Sequence, residues 1–404
     1  MNTIRAIPEL NLDQLNFRFA NEGNFYLSVL VPLMSYIIII LSIEFKKKRV
    51  SYFIDVADGF FLSSIILMFV YSLITPVFLE GIEYAFKYLF IAVPFYFMSK
   101  IIIINNQSNF EQQFLKYFNV TVLVSFLTGS LGFLLAYSVD FFEPSLGSGI
   151  EYKIRRITIP GVYPIPFAQV IGFGALIIFC SMFSRGAFLK YKKKYNFVFI
   201  LLFLYLIFLV MISNTRGILV AIFIAMSFFL YMYPRKVISQ RNLRIVLVVI
   251  AISVIFSLYF FDFSKSIDRL LNTFNNDRSV SSRTDILLEA FRIGFTNPIG
   301  VGTSGFIYKY PHNIFLDYIV SFGLVGWFMS VYFALMIWYF FTQTFKRRYD
   351  SPILILLFCI IIYFFTEALI SFTLWMHKGL YISIGLFTSY LYLYKKEELK
   401  KLDC

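Results

Sequence analysis

Apolar runs long enough to cross the roughly 30 Å of hydrocarbon in a bilayer recur along this 404-residue chain, and they constrain the fold more than any motif does. Read with their breakers, they place about eleven spans (10–12). These lie near 25–45, 56–79, 83–104, 116–138, 165–184, 196–214, 217–233, 245–263, 314–341, 353–373 and 379–394. Only 15% of residues are charged, too few to clothe a soluble core of this size, whereas 59% are hydrophobic. Only helices satisfy their own backbone in lipid when no barrel alternation is present. The expected fold is an all-α, polytopic membrane bundle with a long extracytoplasmic loop carrying short helices.

The net charge of +13 raises the question of a nucleic-acid partner. A polyanion binder gathers its basic residues on one face; here they sit in short blocks between apolar runs, so no nucleic acid is expected. Of the 36 Lys and Arg residues, 22 fall in one alternating set of loops: 46–49, Lys100 and Lys116, 185–194, 235–244, 346–348 and the tail 395–401. The richer set is read as cytoplasmic, which puts the C-terminus inside and the N-terminus outside. Residues 1–24 lack the basic-then-apolar order of a cleavable signal. Cys180 and Cys359 lie in apolar runs and Cys404 is terminal, so neither a disulfide frame nor a zinc site is supported.

The chain thus divides into an N-terminal bundle over 1–263 with about eight spans and an outside loop at 139–164. A long outside loop follows over 264–312, and 313–404 holds the last spans and the tail. A loop of that length usually carries function. Within it, Ser282 followed by Asp285 predicts a helix start, and Ile286, Ala290 and Ile293 with Leu287 and Phe291 form an apolar stripe. An amphipathic helix is expected, lying on the outer membrane surface or packed on the bundle. Arg283 then falls in its first turn, where it either faces an anion together with free backbone N–H groups or pairs with Asp285 or Glu289.

Asn297-Pro298-Ile299-Gly300-Val301-Gly302 is a tight turn able to bring N–H groups close to an anion, though a plain turn is the default reading. His312, in Tyr310-Pro311-His312-Asn313, sits at the outer water–lipid boundary, where an imidazole can take a proton from a hydroxyl. His377, beside Trp375 and Lys378, reads as an interfacial anchor. Thr215-Arg216-Gly217 separates two apolar runs with almost no loop and holds Arg216 at the helix mouth. In the 139–164 loop, Lys153, Arg155 and Arg156 add positive charge.

Ser282-Arg283 with its helix, Asn297 to Gly302, His312-Asn313-Ile314-Phe315-Leu316 and Gly323-Leu324-Val325-Gly326 occur in that order before a late span. Together with Thr215-Arg216-Gly217, this order resembles the O-antigen polymerase (Wzy) and O-antigen ligase (WaaL) family of bacterial envelope glycosyltransferases. The resemblance implies transfer of a glycan from undecaprenyl pyrophosphate on the periplasmic face of the inner membrane, with no metal or cofactor. It casts His312 as catalytic base and Arg283 and Arg216 as neutralisers of the leaving pyrophosphate. Arg155, Arg156, Arg278, Tyr310 and Asn313 are expected to bind substrate. The expected partners are an undecaprenyl-pyrophosphate-linked oligosaccharide, the lipid bilayer and, as a candidate, a chain-length regulator protein. The leading expectation is a polymerase of repeat units, with a ligase as alternative. A lipid-linked oligosaccharide flippase fits less well, since transporters show internal repeats and midplane charge.

Overall fold

A computed structural model describes residues 52–104, 110–138, 164–184, 188–189, 196–213, 215–233, 278–308 and 310–402. The sequence-read spans near 25–45 and 245–263, Arg155, Arg156 and most of the 139–164 loop lie outside these residues, as do residues 264–277 of the long loop. The described elements are α1 (Val56–Ser72), α2 (Phe78–Lys87), a π turn (Tyr88–Ala92), α3 (Val93–Ile104), α4 (Phe110–Ser138), α5 (Pro164–Phe183) and α6 (Asn196–Ile212). They continue with α7 (Arg216–Met232), α8 (Arg278–Thr296), α9 (Ile314–Lys346), α10 (Pro352–Ala368) and α11 (Lys378–Leu402). No strand occurs among the described residues.

Among the described residues, four stretches are long and apolar enough to cross a membrane: Phe78–Ile104, Phe110–Leu135, Pro164–Phe183 and Ile314–Lys346. Shorter apolar helices, α1, α6, α7 and α10, pack among them. The third span starts earlier than its sequence suggested, because α2 runs into α3 without a break. Pro94 cannot donate to the preceding turn, and the chain accommodates it by widening to a π turn just before it.

Helix ends follow local chemistry. Asp55 caps α1, accepting from the N–H groups of Ala57 at 2.8 Å and Asp58 at 3.1 Å, while the Asp58 carboxylate accepts from the Asp55 N–H at 2.7 Å. Ser351 caps α10 ahead of Pro352. Between helices, small residues set the spacing: α3 lies close along α11, where Gly385 abuts Tyr96 and Ser99.

Among the described residues, a charge cluster lies within the bundle. Lys100, fully buried on α3, reaches Asp55 at 3.0 Å and Asp58 at 2.5 Å, and its ammonium sits 4.0 Å from the Phe53 ring centroid. Tyr96 donates to Asp58 at 2.9 Å, and Tyr52 donates to the same carboxylate. Lys100 is therefore a paired residue inside a helix rather than a free loop charge, and it drops out of the count used for sidedness.

The least expected feature is a break in α9. Gly323 has φ 56° and ψ −128°, a conformation open to glycine and costly for other residues. The freed backbone groups are met by the glycine turn: Leu324 N donates to Pro298 O at 2.8 Å, Val301 N to Val320 O at 2.9 Å and Gly302 N to Ser321 O at 3.0 Å. A Cβ at Gly323 would collide with the Pro298 carbonyl. Gly323→Ala is accordingly expected to lower stability by about 3 kcal/mol, seen as a lower thermal unfolding midpoint in detergent. A midpoint equal to that of the unaltered protein would contradict this.

Candidate functional site

The glycine turn, the start of α9, the start of α7 and the α10–α11 connection meet at one end of the bundle. Residues 302–304 rest on the α1–α2 turn, where Thr303 donates to Gly81 O at 3.4 Å and Ser304 to Glu80 O at 3.4 Å. With their N–H groups committed to α9, Val301 and Gly302 form a structural clasp rather than an anion cradle.

His312 leads into α9 with φ 58°, a left-handed backbone that disfavours non-glycine residues. It is half-buried, and the Tyr310 ring meets it edge-on at 4.5 Å between centroids. The next residue holds it there. Asn313 caps α9, accepting from Phe315 N at 3.0 Å and Leu316 N at 3.2 Å, and its amide nitrogen donates to Leu369 O at 3.0 Å. Both ends of the Asn313 amide are thus used within the protein.

Arg216 begins α7 and is half-buried. A Cβ on its neighbour Gly217 would press on the Ile370 side chain. Leu369 and Ile370 are consecutive, so the start of α9 with His312 and the start of α7 with Arg216 both abut one short segment.

A second tie lies one turn into α9. Asp317, buried, accepts from Tyr84 at 3.1 Å, from Thr373 at 2.5 Å and from Leu374 N at 3.1 Å. It fastens the first turn of α9 to α2 and to the α10–α11 connection. The sequence reading passed over it; the available signal was a carboxylate inside an apolar span. Glu367 near the end of α10 gives the same signal, buried, with its Oε1 lacking a partner among the described residues.

Helix α8 extends further than its capping signal suggested. It starts at Arg278, so Ser282 and Asp285 lie inside it and Arg283 falls in the second turn rather than the first. Ile286, Leu287, Ala290 and Ile293 pack with Phe306, Leu316, Ile319, Val320 and Trp327, which places the amphipathic helix on the bundle. Phe291, expected in that stripe, is instead exposed. Glu289 is engaged by Arg292, through 2.6 Å and 2.8 Å bonds that hold its carboxyl below the usual range. Position 283 lies two turns before Ala290 and so on the α9 side of α8. The side chains of Arg278 and Arg283 lie outside the described residues.

His377 is not an interfacial anchor. It is buried, neither ring nitrogen has a hydrogen-bond partner among the described residues, and burial pushes its pKa down to about 3. The imidazole is therefore neutral at ordinary pH. Its neighbour Trp375 is half-buried, with its ring 5.4 Å from the Lys87 ammonium.

No curated protein matches the chain. A family model described as O-antigen ligase matches residues 201–331, a stretch that runs from α6 into α9 and holds Arg216, Arg283 and His312. Over residues 201–331 the chain is therefore similar to the O-antigen ligase family, in keeping with the resemblance drawn from its motifs.

Proposed function

We propose that this protein polymerises undecaprenyl-pyrophosphate-linked oligosaccharide repeat units at the periplasmic face of the bacterial inner membrane. The observation that carries the reading is His312, held in a left-handed backbone next to Asn313, which bonds the Leu369 carbonyl, while Gly217 next to Arg216 abuts Ile370 of the same segment. Strain of this kind persists where surrounding structure enforces it, and it gathers at functional sites. The family match over the same residues supports glycan transfer of the polymerase or ligase kind.

In the proposed step an acceptor sugar hydroxyl attacks the anomeric carbon of the lipid-linked glycan. The new glycosidic bond forms as the bond to the pyrophosphate oxygen breaks. His312 takes the hydroxyl proton, and Arg216 with Arg283 neutralises the charge gathering on the pyrophosphate. Proton release from the imidazole resets the site. Arg155, Arg156, Arg278 and Tyr310 are assigned to substrate binding, and a chain-length regulator is a partner of the same proposal. The distribution of Lys and Arg supports an outside position for the mouth and a cytoplasmic C-terminus.

The second reading is the ligase, which moves finished glycan to lipid A–core, and the description of the matching family favours it. The polymerase is preferred on a base rate alone, because one genome can carry many divergent polymerases but few ligases. Gel analysis of surface glycan from a deletion strain separates the two. Lipopolysaccharide capped with a single repeat unit is the expected result. Bare core with polymer left on the lipid carrier would select the ligase.

A further inference from the structure

Helix α8 has two apolar faces, and among the described residues only one is covered by protein. The covered face carries Ile286, Ala290 and Ile293 against α9. Nearly half a turn round, Leu288 is 62% exposed, Phe291 46% and Phe295 73%, and Ile299 follows just beyond the helix at 62%. The spacing 288, 291, 295 puts these side chains on a single stripe. A third, polar face carries exposed Asp285 and the Glu289–Arg292 ion pair.

The uncovered stripe does not end at α8. Phe295 lies 5.5 Å from the Trp327 ring on α9, and on either side of Trp327 stand Leu324, 57% exposed, and Phe328, 75% exposed. Those two belong to Ile314–Lys346, a stretch apolar enough to cross a membrane. The outward stripe of α8 is thus continuous with the outward, apolar face of a spanning helix. That continuity selects the occupant, because a surface running unbroken into a lipid-facing helix is covered by the same lipid.

We propose that α8 is seated in the bilayer surface through Leu288, Phe291, Phe295 and Ile299, so that the membrane itself covers its second apolar face. A helix seated this way lies about 5–10 Å into the headgroup and acyl boundary. Its Glu289–Arg292 edge stays in water. The inference concerns the placement of α8 alone and stands or falls independently of the glycosyl-transfer reading.

An environment-sensitive fluorophore on single cysteines at 288, 295 and 285, in full-length protein reconstituted into phosphatidylethanolamine–phosphatidylglycerol vesicles, tests it. At 288 and 295 the expected result is blue-shifted emission, quenched by doxyl-labelled lipid and insensitive to aqueous iodide. At 285 the sensitivities should be reversed. Iodide quenching at 288 and 295 would overturn the proposal by showing a water-facing stripe. Shielding from both quenchers would overturn it by showing a protein cover, from a partner or a second copy. Both readouts are independent of catalysis, so an inactive His312 variant gives the same answer.

Discussion

Replacing His312 with alanine should remove polymer above a single repeat unit while the protein stays in the membrane at its normal level. Removal of a general base typically costs 10²- to 10⁴-fold in rate, enough to erase banding on a gel. The residue is half-buried and lies before the cap of α9, outside the helix itself. Its backbone is the complication, since φ is 58° there. Asparagine tolerates that conformation better than most residues and lacks a base. His312→Asn is therefore the sharper variant, expected to match His312→Ala in activity with the local geometry kept. Normal polymer from either variant, at normal membrane level, would remove His312 from the chemistry.

The second large effect is expected at the opposite end of the bundle. Lys100→Met leaves Asp55 and Asp58, which now share one ammonium at 3.0 and 2.5 Å, without their cation. Removing one partner of a buried ion pair costs about 3–5 kcal/mol, because the remaining charge is stranded. The damage spreads to the α1 cap, since both carboxylates also hold its first backbone N–H groups. The expected outcome is loss of most folded protein from the membrane fraction and a sharply lower melting temperature in detergent. Adding Asp58→Asn removes a stranded charge and should restore part of the loss. A Lys100→Met protein that melts like the unaltered one would show that the cluster does not stabilise the bundle.

The helical, membrane-type character of the chain was legible because hydrocarbon thickness imposes a long-range pattern that single residues hardly alter. The same pattern concealed what occurs inside the spans. Lys100 reads as a loop charge, since its partners Asp55 and Asp58 lie more than forty positions away and pairing across helices leaves no local trace. Gly323 reads as one more tolerated glycine. Its break in α9 depends on Pro298, Val301 and Gly302 coming from another segment to satisfy the opened backbone. The candidate site was partly readable: His312 and Arg216 stand out as polar groups at span ends, and the structure sets their chain neighbours Asn313 and Gly217 against Leu369 and Ile370. Asp317 escaped notice because it falls within an apolar run, and its three donors come from residues 84, 373 and 374. The start of α8 was misplaced by a turn because Ser282 and Asp285 can sit inside a helix as well as cap one.

Convergence of one imidazole and two guanidinium groups on a lipid pyrophosphate is most directly tested by an experimental structure in nanodiscs with an undecaprenyl-pyrophosphate-linked repeat unit bound. The pyrophosphate should lie between Arg216 and Arg283, with the His312 imidazole about 2.6–3.2 Å from an acceptor hydroxyl or the water in its place. A pyrophosphate bound elsewhere, or guanidinium groups pointing away from it, would contradict the proposed site.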